Sequence, residues 1–323
     1  MGQRAAPCPG RSGGRRLEPP LLLLLAVLLA ASGARRAAAT AAGERWHQEA
    51  EAKQAKQAKR VRWYLNFGLV EANLAFHAEH RDIVAGGLLC CHGFAFDLSD
   101  AGKTRFRVGD AVPAQVESYQ QGGLEDLWVV TGISAEAVSH GRHEAAAAEA
   151  AAAVRELNVT GIVMDYEPTT NYTRAHVDAY AAFLDALAKA VRGQGGKLGM
   201  DVSSWGILQY YGSYAGVDGG LDLYTSMGST YSGQDVAGNE KRVRAMLDQG
   251  LPLATLGIGI GSVVENQTHA MKDYGWDPAK LGDFLAFLDG AGVREVDVWP
   301  ADLDSYDVTK PFFLEALRAW RAA

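Results

Sequence analysis

The sequence has no excess of positive charge. It contains 31 lysines and arginines against 38 aspartates and glutamates in 323 residues, for a net charge of -7. A chain without a basic field has nothing to hold a nucleic-acid backbone, so nucleic acid is excluded as an expected partner. Hydrophobic residues make up 48% and charged residues 21% of the chain. This is the composition of a folded globular protein, and it excludes long intrinsic disorder.

Cysteine is scarce as well, with three residues in the chain. Cys8 lies in the N-terminal leader, while Cys90 and Cys91 are adjacent, so an ordinary disulfide framework is excluded. A bond between neighbouring cysteines closes an awkward ring. The sequence therefore favours two small buried hydrophobic residues on a strand, with their redox state left open.

The apolar run at 21–31 is short. It falls well below the roughly 20 residues that a membrane-spanning helix needs. Basic residues precede it and small residues follow it, which is the order of a secretory signal peptide, assigned here to residues 1–34. The mature chain is then expected to have no stable membrane insertion. Asn158, Asn171 and Asn266 begin glycosylation sequons that fit a lumenal route, so the sequence predicts a secreted or lysosomal glycoprotein.

Two regions follow the leader. Residues 35–61 are polar and basic, and we expect a solvated helical arm there. From 62 to 323, strand-like runs alternate with helix-like stretches and show no boundary, which is the rhythm of βα units. Helical spacing is clearest between Val177 and Val191, and a closing helix is predicted at 311–320. Eight strands favour an α/β fold, a single (β/α)8 TIM barrel, over an open doubly wound sheet. The predicted strands are 63–70, 83–96, 127–132, 161–166, 197–203, 221–226, 254–260 and 295–299.

The fourth predicted strand carries two acidic residues on one face at its end. Side chains alternate along a strand, so Val163, Asp165 and Glu167 point the same way. Two carboxylates inside a barrel are costly unless one is hydrogen-bonded or keeps a proton. Such pairing raises one pKa, so that the group can donate a proton near neutral pH, which suits acid catalysis. The alternative is that both carboxylates face solvent or cap the following helix.

This strand resembles the fourth strand of the family-18 glycoside hydrolases, the chitinase and chitobiase group, which ends in Asp-Gly-x-Asp-x-Asp-x-Glu. Gly161, Asp165 and Glu167 match the motif. Thr160 and Val163 stand where the family has its first two aspartates. The resemblance extends over the predicted barrel through weaker likenesses to the second, third, fifth, sixth and eighth strands. These lie at 86–98, 128–134, 200–205, 227–231 and 298–302.

The resemblance implies retaining hydrolysis of β-linked N-acetylglucosamine units, of chitin type or in an N-glycan core, by substrate-assisted catalysis. Glu167 would protonate the leaving oxygen, and the acetamido oxygen of the sugar would attack the anomeric carbon. Asp165 would orient the acetamide and stabilise the cationic ring, and Tyr231 would hydrogen-bond the acetamido oxygen. Trp299 would form the floor under the sugar. The other substrate-binding candidates are Met227, Trp205 and Asp201.

The departures from the motif leave alternatives open. Val163 removes the aspartate that shares a proton with the next one in the family, so altered pH dependence or weak activity is expected. Ser232 likewise replaces the aspartate of the sixth-strand motif. One competing hypothesis is a two-glutamate retaining glycosidase, with Glu167 as acid and Glu265 as nucleophile. Another is a catalytically inactive chitinase-like lectin, and Trp299 is then either a sugar platform or a packed core residue.

No metal or organic cofactor is expected. His77 with His80, and His140 with His143, lack a third ligand at a supporting distance. The glycine-rich stretch 257–261 lacks the spacing of a dinucleotide loop. The expected partner is an oligosaccharide or glycan, bound by a monomer. The exact glycan and endo or exo action stay open, because loop geometry decides them.

Overall fold

The computed structural model describes eleven parts of the chain. They are residues 58–66, 68–90, 93–98, 103–139, 143–166, 173–202, 217, 220–227, 231–262, 274–300 and 309–323. All of them fall within one compact unit, residues 56–323. Over these ranges, no helix combines the length and the apolar character that crossing a membrane would require.

Eight parallel strands close into a barrel, and each of them pairs with two neighbours. Two further strands, β3 and β4, form a hairpin outside the barrel. The barrel strands in chain order are β1 (Arg60–Asn66), β2 (Val84–Cys90), β5 (Leu127–Ile133), β6 (Gly161–Asp165), β7 (Lys197–Val202), β8 (Leu223–Ser226), β9 (Leu256–Gly261) and β10 (Glu295–Trp299). The pairing of β2 with β5 closes the ring. The predicted (β/α)8 barrel is confirmed.

An antiparallel hairpin interrupts the regular alternation after β2. Its strands are β3 (Phe94–Leu98) and β4 (Thr104–Val108), and β3 also pairs with the end of β5. The prediction of one continuous strand over 83–96 was therefore wrong. Gly93 has a φ of 109°, a left-handed conformation that breaks the extended backbone between the two strands.

Two other predicted boundaries differ from the structure. The first barrel strand begins at Arg60, so Arg60 and Val61 belong to the barrel and not to the basic arm. The same strand ends at Asn66, and Val70 begins a helix instead of ending the strand. Pairing partners explain the shift, because Arg60 lies opposite Glu295 and Asn66 opposite Cys90. Such partners are not visible in the local pattern.

Eight helices lie among the described residues. They are α1 (Val70–Glu79), α2 (Val112–Gln121), α3 (Ala135–Ser139), α4 (Glu144–Leu157), α5 (Arg174–Gly193), α6 (Val236–Asp248), α7 (Pro278–Gly290) and α8 (Pro311–Ala322). The predicted apolar stripe of α5 runs from Val177 to Val191 and is buried except at Ala181, which is partly exposed. Thr173 begins this helix by accepting a hydrogen bond from the backbone N–H of His176. Pro311 opens α8, as its fixed φ favours.

The barrel wall separates two apolar clusters. The larger one fills the space between the strands and the helices. The smaller one, the inner cluster, lies on the interior face of the strands. Its members are Tyr64, Leu88, Cys90, Trp128, Val130, Val163 and Leu223, and Trp299 packs against them. The interior is thus a packed core and not a pore, as is usual for this fold.

A buried ionic group, the base cluster of Arg60, Arg62, Asp126 and Glu295, closes the N-terminal end of the barrel interior. The Arg62 side chain is only 4% exposed and contacts both Asp126, at 3.2 Å from Nε, and Glu295. Arg60 also contacts Asp126. Burial raises the pKa of the Asp126 carboxyl, but the guanidiniums of Arg62 and Arg60 outweigh it and hold that pKa below its usual value.

Candidate functional site

Asp165 is the last residue of β6, at the C-terminal end of the barrel where sites of this fold lie. Its side chain shares a face with Val163, which is fully buried in the inner cluster. Asp165 therefore points over the barrel interior, and it is partly exposed there. The alternative in which this carboxylate lies on the outer, solvent side of the wall does not fit the strand.

Asp201 of β7 stands directly across from Asp165. The two residues are register partners in the parallel pair β6–β7. Neighbouring strands lie about 4.8 Å apart, and register partners place their side chains on the same face. Asp201 is 4% exposed, so it is the more buried member. We call these two residues the carboxylate pair.

Tyr64 of β1 reaches across the barrel to this pair. Its hydroxyl donates a hydrogen bond of 2.8 Å to Oδ1 of Asp201. Burial, and then the charges of Asp201 and Asp297, raise the pKa of Tyr64 well above its usual value, so the hydroxyl stays protonated and remains a donor. The sequence analysis missed Tyr64. Alternation alone cannot tell whether Trp63 or Tyr64 faces inward, since both are aromatic and both are buried.

Trp299 closes β10 at the same end of the barrel. Its ring lies edge-on to the Tyr64 ring, with centroids 4.8 Å apart. It packs against the inner cluster and is still partly exposed. The structure therefore brings Trp299 to the side of the barrel mouth where the carboxylate pair lies. Its role as a sugar platform stays a prediction.

An open position adjoins Asp165 on its other side. Gly132 of β5 is its register partner there, and Gly132 is exposed although it lies on the interior face of the wall. A Cβ atom added at Gly132 would meet only the Asp165 carbonyl oxygen, at 3.5 Å. Met227, which follows β8, is also partly exposed at this end, and its N–H donates to the Val202 carbonyl at 3.1 Å. Among the described residues, the position beside Asp165 is therefore open at Gly132.

Tyr231 does not join this arrangement. Its ring is fully buried in the larger apolar cluster between the strands and the helices. The ring centroid lies 6.3 Å from that of Phe284 of α7, and the Arg242 guanidinium of α6 lies over the ring. Burial raises the pKa of its hydroxyl to about 12. The predicted contact of Tyr231 with an acetamido oxygen is therefore corrected. The spacing from Met227 is two residues longer than in the family motif, and the tyrosine packs between the wall and the helices instead.

Two motif positions and one cysteine have clear surroundings. Val163 is buried among apolar side chains, and Thr160 donates to Asp126 at 3.1 Å and so belongs to the base. Cys90 is disulfide-bonded, and its partner lies outside the described residues. Cys90 is buried on β2, as expected, and the redox state that the sequence left open is a disulfide.

Several predicted residues lie outside the described ranges: Glu167, Trp205, Glu265, Asn171 and Asn266. Their roles stay predictions. Asn158 is described and exposed, in a left-handed conformation with a φ of 52° that ends α4. Among the residues that the structure describes, no group of three or more histidine, cysteine or acidic side chains is arranged to hold a metal ion.

Among the comparisons with known proteins, those with solved structures support the fold. No protein-family model matches the chain, and no curated protein matches it by sequence. Solved chitinase structures do match. A class V chitinase from Pseudomonas fluorescens Pf-5 is 12% identical with a TM-score of 0.60, and covers 81% of this chain and 99% of its own.

Two further structures show the same likeness. The Group II chitinase catalytic domain 2 of Ostrinia furnacalis is 13% identical with a TM-score of 0.57, and covers 81% of this chain and 97% of its own. Active domain 2 of a thermostable chitinase from Pyrococcus furiosus, solved as catalytic-site mutants with chito-oligosaccharides, is 11% identical with a TM-score of 0.52, and covers 81% of this chain and 96% of its own. Other matching structures are titled as family GH18 chitinases. The resemblance to the family-18 barrel is thus confirmed at the level of the fold.

Proposed function

We propose that this chain is a retaining glycoside hydrolase that cleaves β-linked N-acetylglucosamine units by substrate-assisted catalysis. One observation carries the proposal: the carboxylate pair lies beside an open position at the C-terminal end of a closed chitinase-like barrel. A carboxylate there faces the space in which a cationic sugar ring would form. Such a charge stabilises positive charge most strongly where water is excluded.

The proposed reaction needs no protein nucleophile. Glu167, two residues beyond Asp165 in the sequence, protonates the leaving oxygen. The acetamido oxygen of the substrate attacks the anomeric carbon, and the glycosidic bond breaks with its electron pair on the leaving oxygen. Asp165 accepts the acetamide N–H and stabilises the cyclised, positively charged ring until water opens it. Trp299 packs against the apolar face of the sugar.

A second candidate is a chitinase-like lectin without turnover. Val163 favours it, because this motif position is fully buried among apolar side chains and carries no acid. The lectin would keep Trp299 and the open position beside Gly132 for sugar binding. It would not need Glu167.

Hydrolysis of a chromogenic chitobioside tests the proposal. We expect wild type to release the chromophore and Glu167→Gln to lose about 10²–10⁴-fold in kcat, since a general acid contributes roughly that much. Asp283→Asn in α7 is a suitable control, because it changes an exposed acid on an outer helix. Binding of chito-oligosaccharide by wild type without any turnover would favour the lectin.

Inhibition by a thiazoline mimic of the cyclised intermediate separates the two enzyme hypotheses. Substrate assistance predicts tight inhibition, because the mimic resembles the intermediate. Resistance to the mimic, together with loss of activity in Glu265→Gln, would instead support the two-glutamate double displacement.

We also propose that the enzyme acts as a glycosylated monomer in a secreted or lysosomal compartment. The signal-like leader supports this, as does the exposure of Asn158 in its sequon. Expression in a secreting eukaryotic cell is expected to yield a shortened N-terminus and a mass reduced by Asn158→Gln. Retention of residues 1–34 would contradict it.

A further inference from the structure

In the family motif, the aspartate that corresponds to Asp165 shares a proton with an aspartate two residues earlier on the same strand. This chain has Val163 at that earlier position. The side chain of Val163 is buried against apolar neighbours, so it neither shares a proton nor accepts one. If the proposed function holds, another group must share a proton with Asp165.

Asp201 lies where a group that shares a proton with Asp165 must lie. It is the register partner of Asp165 on the neighbouring strand, and both side chains face the interior. A carboxylate two residues earlier on β6 would lie about one pleat repeat, roughly 7 Å, below Asp165, whereas a register partner lies about 5 Å away across the strands. The cross-strand neighbour is therefore the closer of the two.

Asp201 is also held in place from the opposite wall. Its Oδ1 atom accepts the Tyr64 hydroxyl at 2.8 Å, and both residues are nearly fully buried. Tyr64 is fixed in turn by the inner cluster and by the Trp299 ring. A buried acid with one oxygen occupied by a fixed donor has its second oxygen directed by the same contact. Tyr64 thus positions Asp201 on the interior face that it shares with Asp165.

We propose that Asp201, oriented by Tyr64, is the proton-sharing partner of Asp165 and replaces across the strands the acid that Val163 lacks. In the resting enzyme the pair holds one proton and one negative charge. When the acetamide N–H donates to Asp165, the shared proton stays on Asp201, and the negative charge faces the cationic ring. When the ring reopens, the proton is shared again, so no proton leaves the pair.

Titratable groups from two other strands face the pair. Tyr64 comes from β1 and Asp297 from β10, and both act on the same electrostatic neighbourhood. The flanking register partners, Thr225 of β8 and Gly132 of β5, do not titrate. Glu167 adjoins the pair in sequence and lies outside the described residues.

Titration of the two carboxyl carbons by NMR tests the sharing directly. With aspartate labelled at the carboxyl carbon, the Asp165 and Asp201 signals of wild type are expected to move together in two steps separated by about 2 pH units or more. In Asp201→Asn, which keeps an oxygen for the Tyr64 hydroxyl, Asp165 should titrate in one step, at a pH lower by about one unit. An Asp165 titration unchanged by Asp201→Asn overturns the proposal, whether or not the protein turns over sugar.

Kinetics on the chromogenic chitobioside test the catalytic consequence. Asp201→Asn is expected to lower kcat about 100-fold with KM within about threefold, and to move the acidic limb of the pH profile to lower pH. Tyr64→Phe should lower kcat about tenfold, and Asp222→Asn, an acid outside the barrel mouth, should stay within about twofold. Val163→Asp placed in the Asp201→Asn background should recover about tenfold or more, where that variant folds.

The two proposals fail separately. Coupled titration in a protein without turnover would contradict the proposed function and leave the proton sharing in place. Turnover with an uncoupled Asp165, and with full activity in Asp201→Asn, would contradict the proton sharing and leave the glycosidase in place.

Discussion

The two ends of the barrel interior treat their acids differently. At the base, Asp126 and Glu295 meet the guanidiniums of Arg60 and Arg62. At the mouth, the acid Asp201 meets a phenol and stands across from a second acid. The base pairs its acids with cations, while the mouth places two acids side by side, which disfavours ionisation of both.

Arg62→Leu tests the base and should have the largest effect. It leaves Asp126 and Glu295 buried without their central cation, which costs about 3–5 kcal/mol in the free energy of unfolding. Denaturant unfolding measures it. Arg174→Leu is the control, because its exposed pair with Asp178 is worth less than about 1 kcal/mol. Equal effects of the two changes would mean that the base cluster contributes nothing by its burial.

Asp165→Asn tests the mouth and should have the opposite profile. We expect kcat for the chitobioside to fall about 10²–10³-fold, the loss typical of a group that stabilises charge in the transition state. The free energy of unfolding should stay equal or rise, because an asparagine beside Asp201 removes the cost of placing two acids side by side. A marked fall in stability with preserved kcat would reverse the distinction between base and mouth.

Asp297 lies between the two ends and should show a smaller, pH-dependent effect. Burial raises its pKa to about 6, and Arg62 only partly opposes this. The folded state therefore holds a proton that the unfolded state releases, so this stabilisation is present below the unfolded pKa and is lost as pH rises through about 6. Relative to wild type, Asp297→Asn should gain about 1–3 kcal/mol in unfolding free energy between pH 4 and pH 7. A difference independent of pH would contradict the raised pKa.

Gly132→Ala should have the smallest effect on the molecule. The added methyl group meets one carbonyl oxygen at 3.5 Å, an ordinary contact, so the melting temperature should change little. It occupies the open position beside Asp165, and a substrate group there would be displaced at a cost of about 1 kcal/mol, seen as a roughly fivefold rise in KM. An unchanged KM would place the substrate elsewhere.

The sequence alone predicted much of the barrel. Glu295 to Trp299 was predicted as a strand with the bounds found in the structure, and the stripe of α5 was predicted and is buried except at Ala181. The local pattern is sufficient there, because the spacing of apolar residues differs between a buried strand and an amphipathic helix. The strand over 83–96 was wrong because the local pattern does not record the left-handed conformation of Gly93, which interrupts it.

The site was predictable only in part. Asp165 follows from alternation within one strand, and its inward face was predicted from the apolar residues before it. Tyr231 was misplaced, since a motif match with two extra residues carries no information on which side of the wall the chain passes. Tyr64 was missed and Asp201 was predicted without its partner, because their hydrogen bond joins residues 137 positions apart.

By its own pattern, then, the sequence determined the order of strands and helices, the closed architecture and one inward acid, since each of these depends on near neighbours in the chain. Only the tertiary structure decided which acid stands beside Asp165, which aromatic ring holds that acid, and how the base neutralises its charges. The physical reason is register: barrel closure sets strands side by side, and a shift of one residue would turn every one of these side chains to the other face.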